Sequence, residues 1–292
     1  MGVREEDLET AGLTLRMREA GEPAGRPVLH FHGTPGCRLE LAWADERVAA
    51  EGVRLVTFDR PGYGGSTPAP FGLTSLARLA LAVADELGLD RFATSGLSGG
   101  GPFALAVAAV APDRVTAVCV LSGAGPFQHV PGALQELSDI DKEAVALLPH
   151  DPDAAAEKFA SGFPTLGDFP DVKALLARFG PALSDRDKQI VSDPVGGPAF
   201  LADVREALRQ GRLGGGWDNV AWVGPWDIDL NAVTCPVLLR YGAEDRMAPP
   251  AHAHWLDEHL ATTTLVMRSG EGHFGLFDHL GEDLRALLAA AG

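Results

Sequence analysis

Three side chains far apart in the sequence are of types that could work together as nucleophile, acid and base: Ser98, Asp245 and His273. Ser98 lies in Gly96-Leu97-Ser98-Gly99-Gly100, flanked by glycine two positions away on either side. A serine on a turn sharp enough to join a strand directly to a helix takes a strained backbone conformation. The positions two before and two after it then crowd together, so both must lack a Cβ. That geometry lifts the Ser98 hydroxyl off the sheet and leaves the Gly99 N–H at the positive end of the next helix.

A serine nucleophile needs a base, an acid to orient the base, and two donors for the developing oxyanion. In an open parallel sheet these come from loops at the carboxyl ends of strands. Of nine histidines, only His273 lies in a glycine-flanked loop, Gly270-Glu271-Gly272-His273-Phe274-Gly275, just past an expected strand. His30 falls within a strand, His129 and His150 in a helical region, and His279 in the last helix. His252, His254 and His259 share one helix and are expected at the surface. For the acid, Gly242-Ala243-Glu244-Asp245 offers Asp245, with Glu244 as competitor. Gly99 supplies one oxyanion N–H. The other comes from His32-Gly33-Thr34-Pro35-Gly36, where Pro35 has no N–H, leaving Thr34, nearer the loop tip, or Gly33. His32 reads as a brace for that loop.

The elements that must position these groups follow from the hydrophobic pattern. Residues 13–18 alternate like an edge strand; 27–31, 53–58, 91–97 and 115–121 are short, largely apolar runs that end in turns. Helical spacing covers 38–51, then 74–87 with Thr74 as N-cap and Gly88 as stop, and then the run from Pro102. Alternating strands and helices imply a parallel sheet with both faces covered. The alternation breaks at 126–229, where five helical segments (133–148, 154–161, 172–179, 185–191, 199–210) are joined by Pro and Gly, and all four lysines occur. It resumes with 236–241, 250–260, 263–267 and 276–290. The expected organisation is an α/β core of 1–125 and 230–292, a mostly parallel sheet flanked by helices, with 126–229 as an inserted helical cap.

Composition bounds the partners. A formal charge of −16 with no basic tract argues against nucleic acid or an anionic membrane. The acidic start MGVREEDLET lacks the apolar run of a signal peptide, and no window is long and apolar enough to span a membrane. Cys37, Cys119 and Cys235 have no metal-ligand spacing and are expected as buried free thiols, which fits a reducing cytoplasm. The expected partner is a small-molecule substrate, with no cofactor or metal; the oligomeric state is left open.

With these residues placed, the chain resembles the α/β-hydrolase superfamily along nearly its whole length. The matching pieces are HGTPG (32–36), DRPGYGGS (59–66), GLSGG (96–100), GAEDRMAP (242–249) and GEGHF (270–274). The order Ser98, Asp245, His273 is the chain order of that architecture. The resemblance implies a helical cap after the strand following the nucleophile helix, where 126–229 falls. Haloalkane dehalogenases and epoxide hydrolases place aspartate at the nucleophile position, where this chain has Ser98. Prolyl iminopeptidases usually read HGGPG and carry Trp after the nucleophile; Thr34 and Gly99 occupy those positions here.

The implied activity is a serine hydrolase acting on a small carboxylic ester or lactone. A C–C bond hydrolase, an acyltransferase or an iminopeptidase-like peptidase would use the same triad. A low-turnover ligand-binding protein on the same fold is the alternative from another class. Aromatic residues of the cap, among them Phe163, Phe179, Phe200 and Trp222, are expected mainly to pack cap helices onto the core.

Overall fold

The computed structural model describes residues 2–292. Its centre is an eight-stranded sheet: β1 (Arg4–Thr10), β2 (Leu13–Gly21), β3 (Arg26–Phe31), β4 (Val53–Phe58), β5 (Phe92–Leu97), β6 (Val115–Leu121), β7 (Val237–Gly242) and β8 (Thr263–Arg268). The spatial order is β1-β2-β4-β3-β5-β6-β7-β8. β1 pairs antiparallel with β2, and β2 with β4; every later pairing is parallel. The parallel strands are almost wholly buried from β3 to β7, as strands covered on both faces must be.

The sequence 13–18 was expected at the edge, but β1 lies outside it. The residues of β1, Arg-Glu-Glu-Asp-Leu-Glu-Thr, are half-exposed or exposed throughout, so this strand shows no apolar face to read. Residues 38–51 form a four-residue turn, a 3-10 turn and only a short helix, α1 (Asp45–Ala50). The helix α2 (Leu73–Glu86) begins one residue before Thr74, whose N–H is capped by the Asp227 carboxylate at 3.0 Å.

α1 and α12 (Leu276–Ala290) cover one face of the sheet; α2, α3 (Gly101–Val110) and α11 (Pro250–His259) cover the other. α3 is apolar all round, and its Phe103, Leu105 and Val107 are completely buried. At about 1.5–3 kcal/mol per large apolar side chain, such burial fixes the helix that follows Ser98 firmly on the sheet.

Seven α-helices lie between β6 and β7: α4 (Ala133–Glu136), α5 (Asp139–Leu147), α6 (Pro152–Gly162), α7 (Val172–Phe179), α8 (Asp185–Ser192), α9 (Gly196–Ala207) and α10 (Leu213–Val223). The last of these falls on Leu-Gly-Gly-Gly-Trp, a stretch with poor intrinsic helix propensity. Close packing overrides the propensity: a Cβ on Gly216 would stand 2.1 Å from the Ala156 carbonyl oxygen, and one on Gly214 would stand 2.8 Å from the Tyr63 ring. Among the described residues no helix is long and apolar enough to cross a membrane.

Candidate active site

Ser98 stands at the end of β5 with φ +53°, one of the few non-glycine residues in the left-handed region. A Cβ on Gly96 would lie 2.3 Å from the Gly100 carbonyl oxygen, and one on Gly100 would lie 2.1 Å from that of Phe31. Both glycines are therefore required by contact. The turn seats Ser98 at the mouth of α3, beside the loop that leaves β3.

His273 sits in the loop after β8, only 2% exposed, and Asp245 in the loop after β7, 3% exposed. Their side chains meet: His273 Nδ1 is 2.8 Å from Asp245 Oδ2. An ionised carboxylate only accepts, so Nδ1 carries the proton and Nε2 keeps its lone pair. The other Asp245 oxygen accepts from the backbone N–H groups of Met247 (2.8 Å) and Ala248 (2.9 Å), which fixes the carboxylate. Glu244 is exposed and turned away, so of the two acids it is Asp245 that reaches the imidazole.

Ser98 and His273 line the same cavity, together with Gly33, Thr34, Leu97 and aromatic side chains of α7, α9 and the 273–277 segment. The cavity holds about 40 Å3, room for only a few atoms. No hydrogen bond joins the Ser98 hydroxyl to His273 among the described residues; such contacts are commonly long without substrate and tighten in the complex.

Burial acts to lower the His273 pKa, but the adjacent Asp245 carboxylate, with Asp187 and Glu40 further off, more than offsets it. The net result is a pKa above the usual histidine value.

On the opposite side of Ser98, Thr34 and Gly99 abut: a Cβ on Gly99 would be 2.4 Å from Thr34 Oγ1. The Gly33 N–H donates to Glu40 Oε1 at 2.6 Å, so it is already engaged. The Thr34 N–H has no partner among the described residues. The loop is braced as the residue types suggest. His32 Nδ1 donates to the Gly33 carbonyl (2.8 Å) and its Nε2 accepts from the Arg60 N–H (3.2 Å), an arrangement that requires neutral imidazole. Burial first, and Arg60 second, hold its pKa well below the ordinary value.

Three buried aspartates of the helical insertion reach down to these loops. Asp218 of α10 pairs with Arg60 (2.6 and 2.8 Å), and accepts from the Thr34 and Tyr63 hydroxyls, each at 2.6 Å. Arg60 and Asp218 are both fully buried, and Arg60 also donates to the carbonyls of His32 and Gly33. Asp187 of α8 accepts from the backbone N–H groups of His273 (3.0 Å) and Phe274 (2.8 Å). Asp203 of α9 accepts from the Cys37 N–H at 2.9 Å. None of the three stands out in the sequence: each is an acid on a helix like many others, and its partners in the loops lie far away in the chain.

One expectation about an individual side chain is overturned here, and another is extended. His252 was expected at the surface with His254 and His259; it is 4% exposed, and its Nδ1 accepts from the Gly125 N–H at 2.9 Å. Cys37 is buried, and burial, with Asp203 beside its sulfur at 3.0 Å, pushes the thiol pKa well up, the opposite of a reactive cysteine. Among the described residues no group of three or more His, Cys, Asp or Glu is placed to hold a metal ion.

Comparison with known proteins agrees with this architecture. The model of the alpha/beta hydrolase fold family matches residues 26–280, and the chain belongs to that family. It is a hydrolase of that fold. Epoxide hydrolase A of Mycobacterium tuberculosis is 26% identical over 99% of this chain and 97% of its own length. The rhodomycin D methylesterase DnrP of Streptomyces peucetius is 28% identical over 89% of each chain. A dihydrolipoyllysine-residue acetyltransferase component of the acetoin cleaving system from Pseudomonas putida is 32% identical, but the match spans only 45% of this chain and 36% of that protein. Among solved structures, an alpha/beta hydrolase fold protein from Nakamurella multipartita is 25% identical with a TM-score of 0.68, covering 99% of this chain and all of the other.

Proposed function

We propose that the protein is a serine hydrolase that cleaves a small carboxylic ester or lactone through an acyl-enzyme intermediate. Ser98 Oγ attacks the carbonyl carbon as His273 Nε2 takes its proton. Asp245 holds the imidazole and stabilises its protonated form. The N–H groups of Thr34 and Gly99 receive the oxyanion. The proton on His273 then goes to the departing alcohol oxygen. Water, activated by the same nitrogen, attacks the acyl-serine and releases the acid.

Residues 126–229 act as the cap of this site, on a core of 1–125 and 230–292. The observation that carries the reading is the Asp245–His273 bond of 2.8 Å, oriented so that Nε2 is free toward the cavity where Ser98 stands. A methylesterase among the relatives supports ester chemistry. The epoxide hydrolase chemistry of another relative is not carried over, because the nucleophile position here holds serine.

The test is turnover of a series of p-nitrophenyl esters by wild type, Ser98→Ala and His273→Ala. Each substitution is expected to reduce kcat by about 10^4-fold or more, with folding intact. Wild-type turnover in both variants would refute the mechanism.

A further inference from the structure

The substrate's chemistry is further constrained by a second cavity beside the first; this inference rests on the ester-hydrolase reading above. The cavity has a volume of about 440 Å3 and adjoins the first at Thr34, Pro35 and Phe179. One wall is α10, which presents Asn219 and Trp222 to it, three residues apart on one helix face. Trp222 Nε1 is buried and has no hydrogen-bond partner among the described residues. It lies close to the oxyanion side of Ser98, since a Cβ on Gly99 would be 3.2 Å from that nitrogen. Asn219 is 7% exposed, and its Oδ1 is likewise buried without a partner among the described residues. Buried polar groups are nearly always paired, so an unpaired donor and an unpaired acceptor in one cavity wall call for a ligand.

The chemistry of acyl transfer assigns the two cavities. The departing oxygen must lie within reach of His273, so the alcohol occupies the tight aromatic chamber that His273 lines, and only a small alcohol fits there. The acyl substituent then leads away past Thr34 into the larger cavity. We infer that Asn219 and Trp222 bind a hydroxyl or amide group on the acyl part, close to the scissile carbonyl. Such a group accepts from Trp222 Nε1–H and donates to Asn219 Oδ1. The preferred substrates are thus small-alcohol esters of hydroxy or N-acylamino acids, rather than of plain fatty acids.

The experiment compares kcat/KM for matched methyl esters that differ in one group. Methyl 3-hydroxybutanoate is set against methyl 3-methylbutanoate, where a methyl replaces the hydroxyl. N-acetylglycine methyl ester is set against methyl 4-oxopentanoate, where a CH2 replaces the N–H. Wild type is expected to favour the polar member of at least one pair by roughly tenfold or more. In Trp222→Phe and Asn219→Leu that ratio should fall toward one. Equal rates for both members of both pairs in wild type would overturn the inference while leaving ester hydrolysis intact. A preference that survives in both variants would overturn it too, as would a Trp222→Phe enzyme that loses both members of a pair equally, which would make the indole an oxyanion donor only. Failure to turn over any ester, with no Ser98-dependent fluorophosphonate labelling, would instead refute the underlying hydrolase reading, and this inference with it.

Discussion

The loop that carries His273 and the loop that carries Thr34 are both held from above by a buried aspartate, yet by different physics. Asp187 takes three backbone N–H groups, those of His273 and Phe274 in the loop and that of Ser184 at the start of its own helix, and no cation among the described residues. Asp218 takes the Arg60 guanidinium, which in turn ties down the carbonyls of the Thr34 loop. At the first loop, losing the acid leaves two unpaired amides; at the second, it strands a fully buried charge. The helices between β6 and β7 therefore hold loops on both sides of Ser98, one through backbone amides and the other through a buried ion pair.

Substitution of the two aspartates separates these cases. Asp218→Ala is expected to cost about 3–5 kcal/mol of stability, because Arg60 is left buried without its counter-charge. In a chain this long, that is a fall in melting temperature on the order of 10 °C, read by thermal denaturation. Asp187→Ala is expected to cost about 1–3 kcal/mol, the penalty for unpaired buried donors. It should also lower kcat, because the His273 backbone loses its anchor. Equal destabilisation by the two changes would show that the Arg60 pair is not the stronger brace.

A smaller effect probes the His273 side alone. In the proposed mechanism His273 must be neutral to act as base, and its pKa is raised mainly by Asp245 against the opposing pull of burial. The acid limb of kcat/KM should therefore fall above the ordinary histidine value of about 6.5, with activity lost as pH drops through it. In Asp245→Asn the limb should move to lower pH along with a large loss of rate. A wild-type limb well below that value would contradict the arrangement.

The same contrast explains what the sequence reveals. Ser98, Asp245 and His273 sit in short glycine-marked turns right after strands, so each is a candidate from its own neighbours, although only the contact with His273 separates Asp245 from Glu244. Within one pentapeptide the sequence leaves Thr34 or Gly33 as donor, and the engagement of the Gly33 N–H with Glu40 favours Thr34. β1 shows no apolar face because it is exposed or half-exposed throughout. α10 is concealed by its three glycines, which weaken a helix in isolation and permit it only against Tyr63 and Ala156. That helix carries Asp218, Asn219 and Trp222, so much of the insertion's contribution to the site is written in contacts distant in sequence. The burial of His252 is hidden from the sequence for the same reason: its partner, Gly125, lies on another strand's loop.

The central claim is that Ser98 is the nucleophile, activated by His273. The direct measurement is intact-protein mass after treatment with a small fluorophosphonate, followed by peptide mapping. The account predicts a single adduct on Ser98 in wild type and none in folded Ser98→Ala, with labelling slowed strongly in His273→Ala. An adduct that persists in Ser98→Ala, or folded wild-type protein that stays unmodified, would contradict it.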